Sequence, residues 1–248
     1  MKGIILAGGH ATRLRPLTSV TNKHLLPIYS KPMIYYPLER MAEAGITEVL
    51  ITTNPEHVGH FVHLLRSGKD FGLRLSYEVQ DRAGGLSQAV SLAEHFARGE
   101  RILVLLGDNI FWHNLRPAVE AFARQERGAK IFAKSIPTEC QHYGVIELKD
   151  GAVVSIEEKP KIPKSDLAQT GIYMYDTQVF DFIKTLKPSK RGELEITDLN
   201  NCYVEQGTMT CEVMADDWID AGSSIEEYWR ANQLVLEAIR AGRVRGLV

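Results

Sequence analysis

The sequence predicts an α/β protein with a mostly parallel sheet flanked by helices, and three observations carry that prediction. Ile4 to Ala7 form a short unbroken apolar run that stops at a glycine pair, as a strand covered on both faces does. From residue 32 to residue 107, helical and extended patterns alternate, the rhythm of βαβ units joined by right-handed crossovers. Arg101-Ile-Leu-Val-Leu-Leu-Gly107 is the most apolar strand pattern in the chain and so predicts a central strand. It delivers Asp108 and Asn109 at its carboxyl end, where open α/β sheets bind their ligands.

Taken in order, the first strand runs into a loop suited to anions. Gly8 and Gly9 let backbone N–H groups approach a ligand, Thr12 offers a hydroxyl, and Arg13, Arg15 and Lys23 bring positive charge to the same end of the strand. It is neither of the two common phosphate loops. His10 and Ala11 stand where a Walker loop needs Lys and Ser or Thr, and G-x-G-x-x-G is absent. Met33, Ile34, Leu38, Met41 and Ala42 space a helix over 32–44, with Gly45 as its stop. Glu48 to Asn54 reads as a strand, Glu56 to about Arg66 as a helix, and Leu73 to Val79 as an alternating strand ending at Gln80. A flexible loop at Asp81–Gly85 leads into a helix through about Ala97, and another helix covers Leu115 to Arg127.

In the second half the strands are shorter. They fall at Ala129–Ser135, Gly144–Leu148, Ala152–Glu157, Ala168–Tyr175 and Thr210–Met214, with Lys149-Asp150-Gly151 as a hairpin turn. Helices cover Gln178–Leu186, Glu195–Gln206 and Ser224–Ala241.

Composition narrows the class. With 44% hydrophobic and 24% charged residues over 248 positions, the chain is globular and long enough for a full core. A net charge of −2 gives no bulk attraction to nucleic acid or to an anionic membrane, so neither is expected as a partner. The apolar start is too short for a signal-peptide core or a membrane span, and the expected location is cytoplasmic. Cys140, Cys202 and Cys211 are odd in number, lack a C-x-x-C, and read as reduced thiols. His57, His60 and His63 recur every three residues on one helix. They read as a solvated face rather than a zinc site, since one helix supplies too few ligands. No repeat or linker divides the chain, so residues 1–248 form one domain.

Three blocks make the sequence more specific. Gly8-Gly9-x-x-Thr12-Arg13-Leu14-x-Pro16-x-Thr18, Lys23-x-Leu25-Leu26-Pro27 and Lys31-Pro32-Met33-Ile34-Tyr35-Tyr36-Pro37 resemble the sugar-1-phosphate nucleotidyltransferases, in particular their short-form branch acting on glucose 1-phosphate and dTTP. The resemblance runs to about Gly222 with its blocks in the family's order. It implies a Rossmann-like, mixed but mostly parallel sheet. About residues 1–130 would form a nucleotide-binding half and about 131–248 a small sugar-binding or lid half. It also implies the joining of dTTP to α-D-glucose 1-phosphate by direct in-line displacement with Mg2+, giving dTDP-glucose and diphosphate for dTDP-rhamnose synthesis, in a homo-oligomer (dimer or tetramer). Uridylyl transfer from UTP is the nearest alternative, because uracil and thymine differ by one methyl. A non-catalytic nucleotide-sugar sensor is the alternative of another class.

Such a reaction joins two polyanions and asks the protein for cations, a metal and orientation, because the attacking phosphate is already ionised. On its own a strand-end aspartate such as Asp108 reads equally as a helix cap or a ligand, and lone basic residues read as surface charge. By the resemblance, Asp108 and Asp220, the latter in Trp218-Ile-Asp-Ala-Gly222, bind the metal. Arg13 then forks onto the leaving phosphates and Lys23 neutralises the α-phosphate.

Gly8 and Gly9 cradle the triphosphate, while Gln80 and Gly85 read and seat the pyrimidine, Gln80 pairing with its O4 and N3–H edge. Glu158 and Gly144 bind glucose, and Lys159, Tyr143, Thr170, Gly171, Tyr173 and Arg191 surround the sugar and its phosphate. Three departures qualify the match. Ala11 replaces a family glycine and is strained if φ is positive there. Gln169 replaces a small apolar residue. The chain ends at Val248, short of the usual form, which leaves the family's regulatory nucleotide site in question.

Overall fold

The computed structural model describes residues 1–9 and 11–243. From the N-terminus, β1 (Lys2–Leu6) leads through two 3-10 turns to a two-residue ribbon, β2 (Pro27–Ile28) and β3 (Lys31–Pro32). Then come α1 (Tyr35–Glu43), β4 (Glu48–Thr53), α2 (Val58–Leu65), β5 (Arg74–Val79), α3 (Leu86–Ser91), α4 (Glu94–Ala97), β6 (Ile102–Leu106), β7 (Asn109–Phe111) and α5 (Arg116–Arg124). The second half holds β8 (Ala129–Ser135), β9 (Gly144–Lys149), β10 (Ala152–Glu158), β11 (Leu167–Tyr175), α6 (Val179–Thr185), α7 (Ile196–Glu205), β12 (Met209–Val213), β13 (Trp218–Asp220) and α8 (Ile225–Arg240).

β5, β4, β1 and β6 lie side by side and pair in parallel, as the alternation of patterns in the first half predicts. Alternate side chains of β1 and β6 enter opposite cores. Ile4, Leu6 and Val104 pack with Ala89, Val90, Val179 and Leu199 from α3, α6 and α7. Ile5, Leu103 and Leu105 pack with Leu38, Met41, Phe61 and Phe122 from α1, α2 and α5. Covering both faces is why these strands read as unbroken apolar runs. Each fully buried aliphatic side chain there contributes about 1.5–3 kcal/mol.

Beyond β6 the sheet turns antiparallel, making it mixed. β11 has nine residues, and Ile172–Tyr175 pair with β6 while Ala168 pairs with Val145 of β9. β8 takes the other edge of β11 and carries β12 parallel to itself. Because β6 stops at Leu106, the first part of β11 overshoots its carboxyl end. Gln169 to Gly171 therefore lie where the edge passes from β6 to β9, and the sheet opens there. Ile28, Met33, Tyr36 and Ile219 pack with Tyr228, Ala231 and Val235 of α8 in a third cluster beside this opening.

Some boundaries differ from the sequence expectation for local reasons. The helix expected from residue 32 begins at Tyr35, because Lys31–Pro32 pairs with Pro27–Ile28. Lys31 is buried there, ion-paired to Glu39 at 2.5 Å and 4.4 Å over the Tyr36 ring. The helix expected to reach Arg127 stops at Arg124, where Gln125 turns extended. The helix expected through Ala97 is broken into α3 and α4. Among the described residues, no three His, Cys, Asp or Glu side chains are grouped to hold a metal, and no helix is long and apolar enough to cross a membrane.

Candidate active site

Asp108 follows β6 directly, and a short antiparallel ribbon carries Asp220 to it. In that ribbon β7 pairs with β13, Asn109 opposite Asp220, and the Ala221 N–H donates to the Asp108 carbonyl at 3.0 Å. Asn109 fixes the junction with its side chain. Its Oδ1 accepts from Gly171 N–H (2.9 Å) and Trp218 Nε1–H (2.7 Å), and its Nδ2 donates to Asp108 Oδ1 at 3.0 Å. Lys23 arrives from a different segment, the 3-10 turn Lys23–Leu25. The Asn22 side chain accepts from His24 N–H at 2.9 Å and donates to the Ala7 carbonyl at 3.1 Å, which anchors the turn to the end of β1. The Lys23 ammonium then donates to Asp108 Oδ2 in a charge-assisted bond.

Gly222 makes room for that pair. A Cβ at this position would lie 2.6 Å from Lys23 Nζ and 3.0 Å from Asp108 Cβ. Burial disfavours charge on all three neighbouring groups, and their different balances follow from their partners. Lys23 outweighs burial at Asp108 and holds its carboxyl below the usual range. The Lys23 ammonium is lowered by burial but raised more by Asp108 and Asp220, so its net shift is upward. Asp220 is pushed up by burial first and by the charge of Asp108 second. His24 is pushed down to about 3 by burial and then by Lys23, so this histidine is neutral.

Arg13, Lys23, Asp108 and Asp220 line one cavity of about 360 Å³, together with Gly8, Gly9, Gln80 and Gly85. Arg13 sits in the 3-10 turn Thr12–Leu14. Ala11, just before the turn, has φ +47° and ψ +38°, the left-handed conformation in which alanine is strained. Its carbonyl accepts from Leu14 N–H at 3.1 Å and from the Thr18 hydroxyl at 2.8 Å.

Gln80, 7% exposed, closes the far end of this cavity. Its amide donates to the Gly85 carbonyl at 3.3 Å and to Gln88 Oε1 at 2.6 Å, which uses both protons and leaves the oxygen directed at Gly8. The sequence expectation gave this amide both a donor and an acceptor for a ligand. Among the described residues only the acceptor is left without a partner. Gly85 has φ +96°, and a Cβ there would meet the Leu194 carbonyl oxygen at 2.5 Å. The loop is strapped to that segment by Leu194 N–H to Gly84 O (2.8 Å) and by the Ser87 hydroxyl to Glu195 O (2.9 Å).

A second cavity of about 800 Å³ adjoins the first, and both are walled by Arg13, Leu86, Arg191, Glu193 and Asp220. Tyr143, Gly144, Glu158, Lys159, Gln169 and Tyr173 also line it. Glu158 Oε2 accepts the Thr197 hydroxyl at 2.7 Å, while its other oxygen faces Lys159 at 3.8 Å and Arg191 at 4.0 Å. Lys159 holds φ +48° at the end of β10, its N–H donating to the Tyr143 carbonyl at 3.0 Å. Arg191 forks onto Glu195 at 2.7 and 3.2 Å. Burial, then Asp220 and Glu227, push the Tyr143 phenol up to about 12. Burial and Glu158 raise that of Tyr173, so both are neutral donors.

Two expected residues lie elsewhere. Thr170 is fully buried, its hydroxyl donating to Phe132 O at 2.8 Å, and Gly171 is packed so closely that a Cβ would sit 2.6 Å from Leu106 Cγ. Neither lines either cavity, which corrects the expectation that they surround a sugar phosphate. Along β11 the period of two gives that wall to Gln169 and Tyr173 instead. Gln169 is held by Asn200, whose amide donates to its oxygen at 2.8 Å. Sequence reasoning gave no role to Asn109, Gly222, Gln88 or Thr197. The first two adjoin predicted residues and were within reach, whereas Gln88 and Thr197 find their partners only through the fold.

The family model described as Nucleotidyl transferase matches residues 2–238. Glucose-1-phosphate thymidylyltransferase of Neisseria meningitidis (serogroup A, serotype 4A, strain DSM 15465 / Z2491) is 46% identical over 227 residues, 90% of this chain and 78% of that protein. The enzyme of the same name from Mycolicibacterium smegmatis is 44% identical with the same coverage. A crystal structure from Bacillus anthracis, described as a glucose-1-phosphate thymidylyltransferase with sucrose bound, superposes with a TM-score of 0.92 at 47% identity, covering 100% of this chain and 97% of that one. A UDP-glucose pyrophosphorylase complexed with UDP-glucose superposes at 0.83 with 25% identity, over 95% and 98% of the two chains.

Proposed function

The chain belongs to the nucleotidyl transferase family, and from that premise we propose that it joins dTTP and α-D-glucose 1-phosphate to give dTDP-glucose and diphosphate. One observation carries the reading: Arg13, Lys23, Asp108 and Asp220, from four separate segments, share a single cavity that adjoins a larger one. A triphosphate and a sugar phosphate held in adjoining cavities meet at their common wall.

The two halves divide the work, about residues 1–130 holding the nucleotide and about 131–248 the sugar. An oxygen of glucose 1-phosphate forms a bond to the α-phosphorus of dTTP as the bond from that phosphorus to the bridging oxygen breaks, and diphosphate leaves with the electron pair. The attacking oxygen is already ionised, so the chain supplies no general base and no covalent nucleophile. Arg13 forks onto the leaving phosphates, Gly8 and Gly9 offer N–H groups to them, and Lys23 sits against the phosphate that passes through five-coordination. At the base, Gln80 presents its oxygen and Gly85 seats the ring. Glu158 accepts from glucose hydroxyls through the oxygen that Thr197 leaves free, and Gly144 offers its N–H. Lys159, Arg191 and the neutral phenols of Tyr143 and Tyr173 hold the sugar phosphate.

Asp108 and Asp220 fit Mg2+. They are hard oxygen donors, too few to close a coordination shell, and the upward shift of Asp220 beside Asp108 marks two carboxylates that gain from a shared cation. When bound, the metal neutralises triphosphate oxygens and polarises the α-phosphorus. Asn109 and the Lys23 bond hold Asp108 in position for it. In this reading the enzyme is a homo-oligomer, dimer or tetramer, and its product supplies deoxysugar synthesis.

Diphosphate release measured with dTTP, UTP, ATP and GTP against several sugar 1-phosphates tests the proposal. The highest kcat/KM is expected for dTTP with glucose 1-phosphate. A clear preference for UTP would replace the base assignment, and no release from any pair would remove the reading altogether.

A further inference from the structure

Gln88 lies on α3, half-buried, and reaches the predicted base site only through Gln80. The orientation of the Gln80 amide is set by chemistry as well as by coordinates. The Gly85 carbonyl can only accept, so the group 3.3 Å from it is the NH2 end. The second proton goes to Gln88 Oε1 at 2.6 Å. The Gln80 oxygen therefore faces the other way. It approaches Gly8 so closely that a Cβ there would lie 2.5 Å from it, and among the described residues no protein donor reaches it. Gln80 is more than nine-tenths buried as a residue and lines the cavity, so its oxygen is the acceptor this side chain offers to a ligand there.

A bare acceptor discriminates among pyrimidines. Thymine and uracil carry N3–H, a donor that satisfies it, while cytosine presents a lone pair at N3, which sets acceptor against acceptor. If the amide turned over, its NH2 would face the cavity and the preference would reverse. We propose that Gln88 is a positioning residue for base selection: by accepting from Gln80 it locks the Gln80 oxygen toward the ligand, so that the site takes thymine or uracil and rejects cytosine. The Gly85 carbonyl, at the longer distance, is the weaker half of the lock. This inference rests on the proposed use of dTTP and adds a residue that does not touch the substrate.

The test compares kcat/KM for dTTP, dUTP and dCTP, with glucose 1-phosphate fixed, in the wild type, Gln88→Leu and Gln88→Glu. Gln88→Leu removes the acceptor at similar volume, and the dTTP:dCTP ratio is expected to fall about tenfold, the value of one hydrogen bond, mostly through KM for dTTP. Gln88→Glu keeps an acceptor and is expected to restore the ratio. The dUTP:dTTP ratio is expected to stay constant throughout, since both bases carry N3–H. Calorimetric binding of dTTP and dCTP to the same variants gives the ratio independently of turnover. An unchanged dTTP:dCTP ratio in Gln88→Leu, or an equal loss in Gln88→Glu, overturns the role of Gln88. Absence of turnover in the wild type with every triphosphate instead overturns the function on which the proposal rests.

Discussion

Gly222→Ala adds one methyl group and no charge, yet it strikes the centre of the charged cluster. Its Cβ would lie 2.6 Å from Lys23 Nζ and closer still to Asp108 Oδ2. Non-bonded heavy atoms rest at about 3.5 Å, so the ion pair must yield by roughly 1 Å. Gly222 itself does not have a positive φ, so the effect is steric rather than a strained backbone. A misplacement of about 1 Å among catalytic groups costs on the order of 100-fold, and overpacking costs about 1–3 kcal/mol of stability. Diphosphate release at saturating dTTP and glucose 1-phosphate reads the first, and urea denaturation reads the second. A double-mutant cycle localises the effect, because in an Asp108→Asn background the methyl group has less left to disturb and its cost in kcat is expected to shrink. A Gly222→Ala enzyme with wild-type kcat would refute the argument that Lys23 and Asp108 act as a closely packed pair.

Asp108→Asn is expected to lower kcat about 1,000-fold while circular dichroism shows an unchanged fold, since it removes a carboxylate that pairs with Lys23 and is proposed to hold Mg2+; near-normal turnover would take Asp108 out of the mechanism. Ala11→Gly relieves the left-handed conformation at φ +47° and is expected to add up to about 1 kcal/mol to the unfolding free energy, so a lower melting temperature would contradict the strain. Buried His24 gives a pH dependence of definite sign. Its proton affinity is depressed from 6.5 to about 3 by burial and Lys23, so its contribution is complete above about pH 6.5 and is lost as the pH falls through that window. At about 1.4 kcal/mol per pH unit, the loss reaches about 2 kcal/mol by pH 5. Replacing His24 with Gln should flatten stability against pH by that amount, and identical slopes would show that the histidine is protonated in the fold.

What could be read in advance follows physical lines. β1 and β6 were legible because helices cover both faces, which writes a continuous apolar run into the sequence. The anion loop was legible in its glycine pair and basic residues, whereas Asp108 and Asp220 are ambiguous on their own and took their roles from the family resemblance. The β7–β13 ribbon was not legible, because three residues are too few to show a period, and so its consequence, Asp220 beside Asp108, came only with the fold. Thr170 was misplaced for a related reason. A matched block names neighbours alike, but a strand sends them to opposite faces, and the cavity wall fell to Gln169 and Tyr173. Gln88 left no trace because its function is a hydrogen bond to another side chain, eight positions away and across a loop.

The account holds that positive side chains and two metal-binding carboxylates align dTTP and glucose 1-phosphate for one displacement at the α-phosphorus, with no covalent adduct to the protein. The stereochemistry of dTDP-glucose formed from a single diastereomer of dTTP bearing sulfur on the α-phosphate tests this most directly. A single in-line attack inverts the phosphorus, so inverted product is predicted. Retention of configuration would require two displacements through a protein nucleophile and would contradict the account.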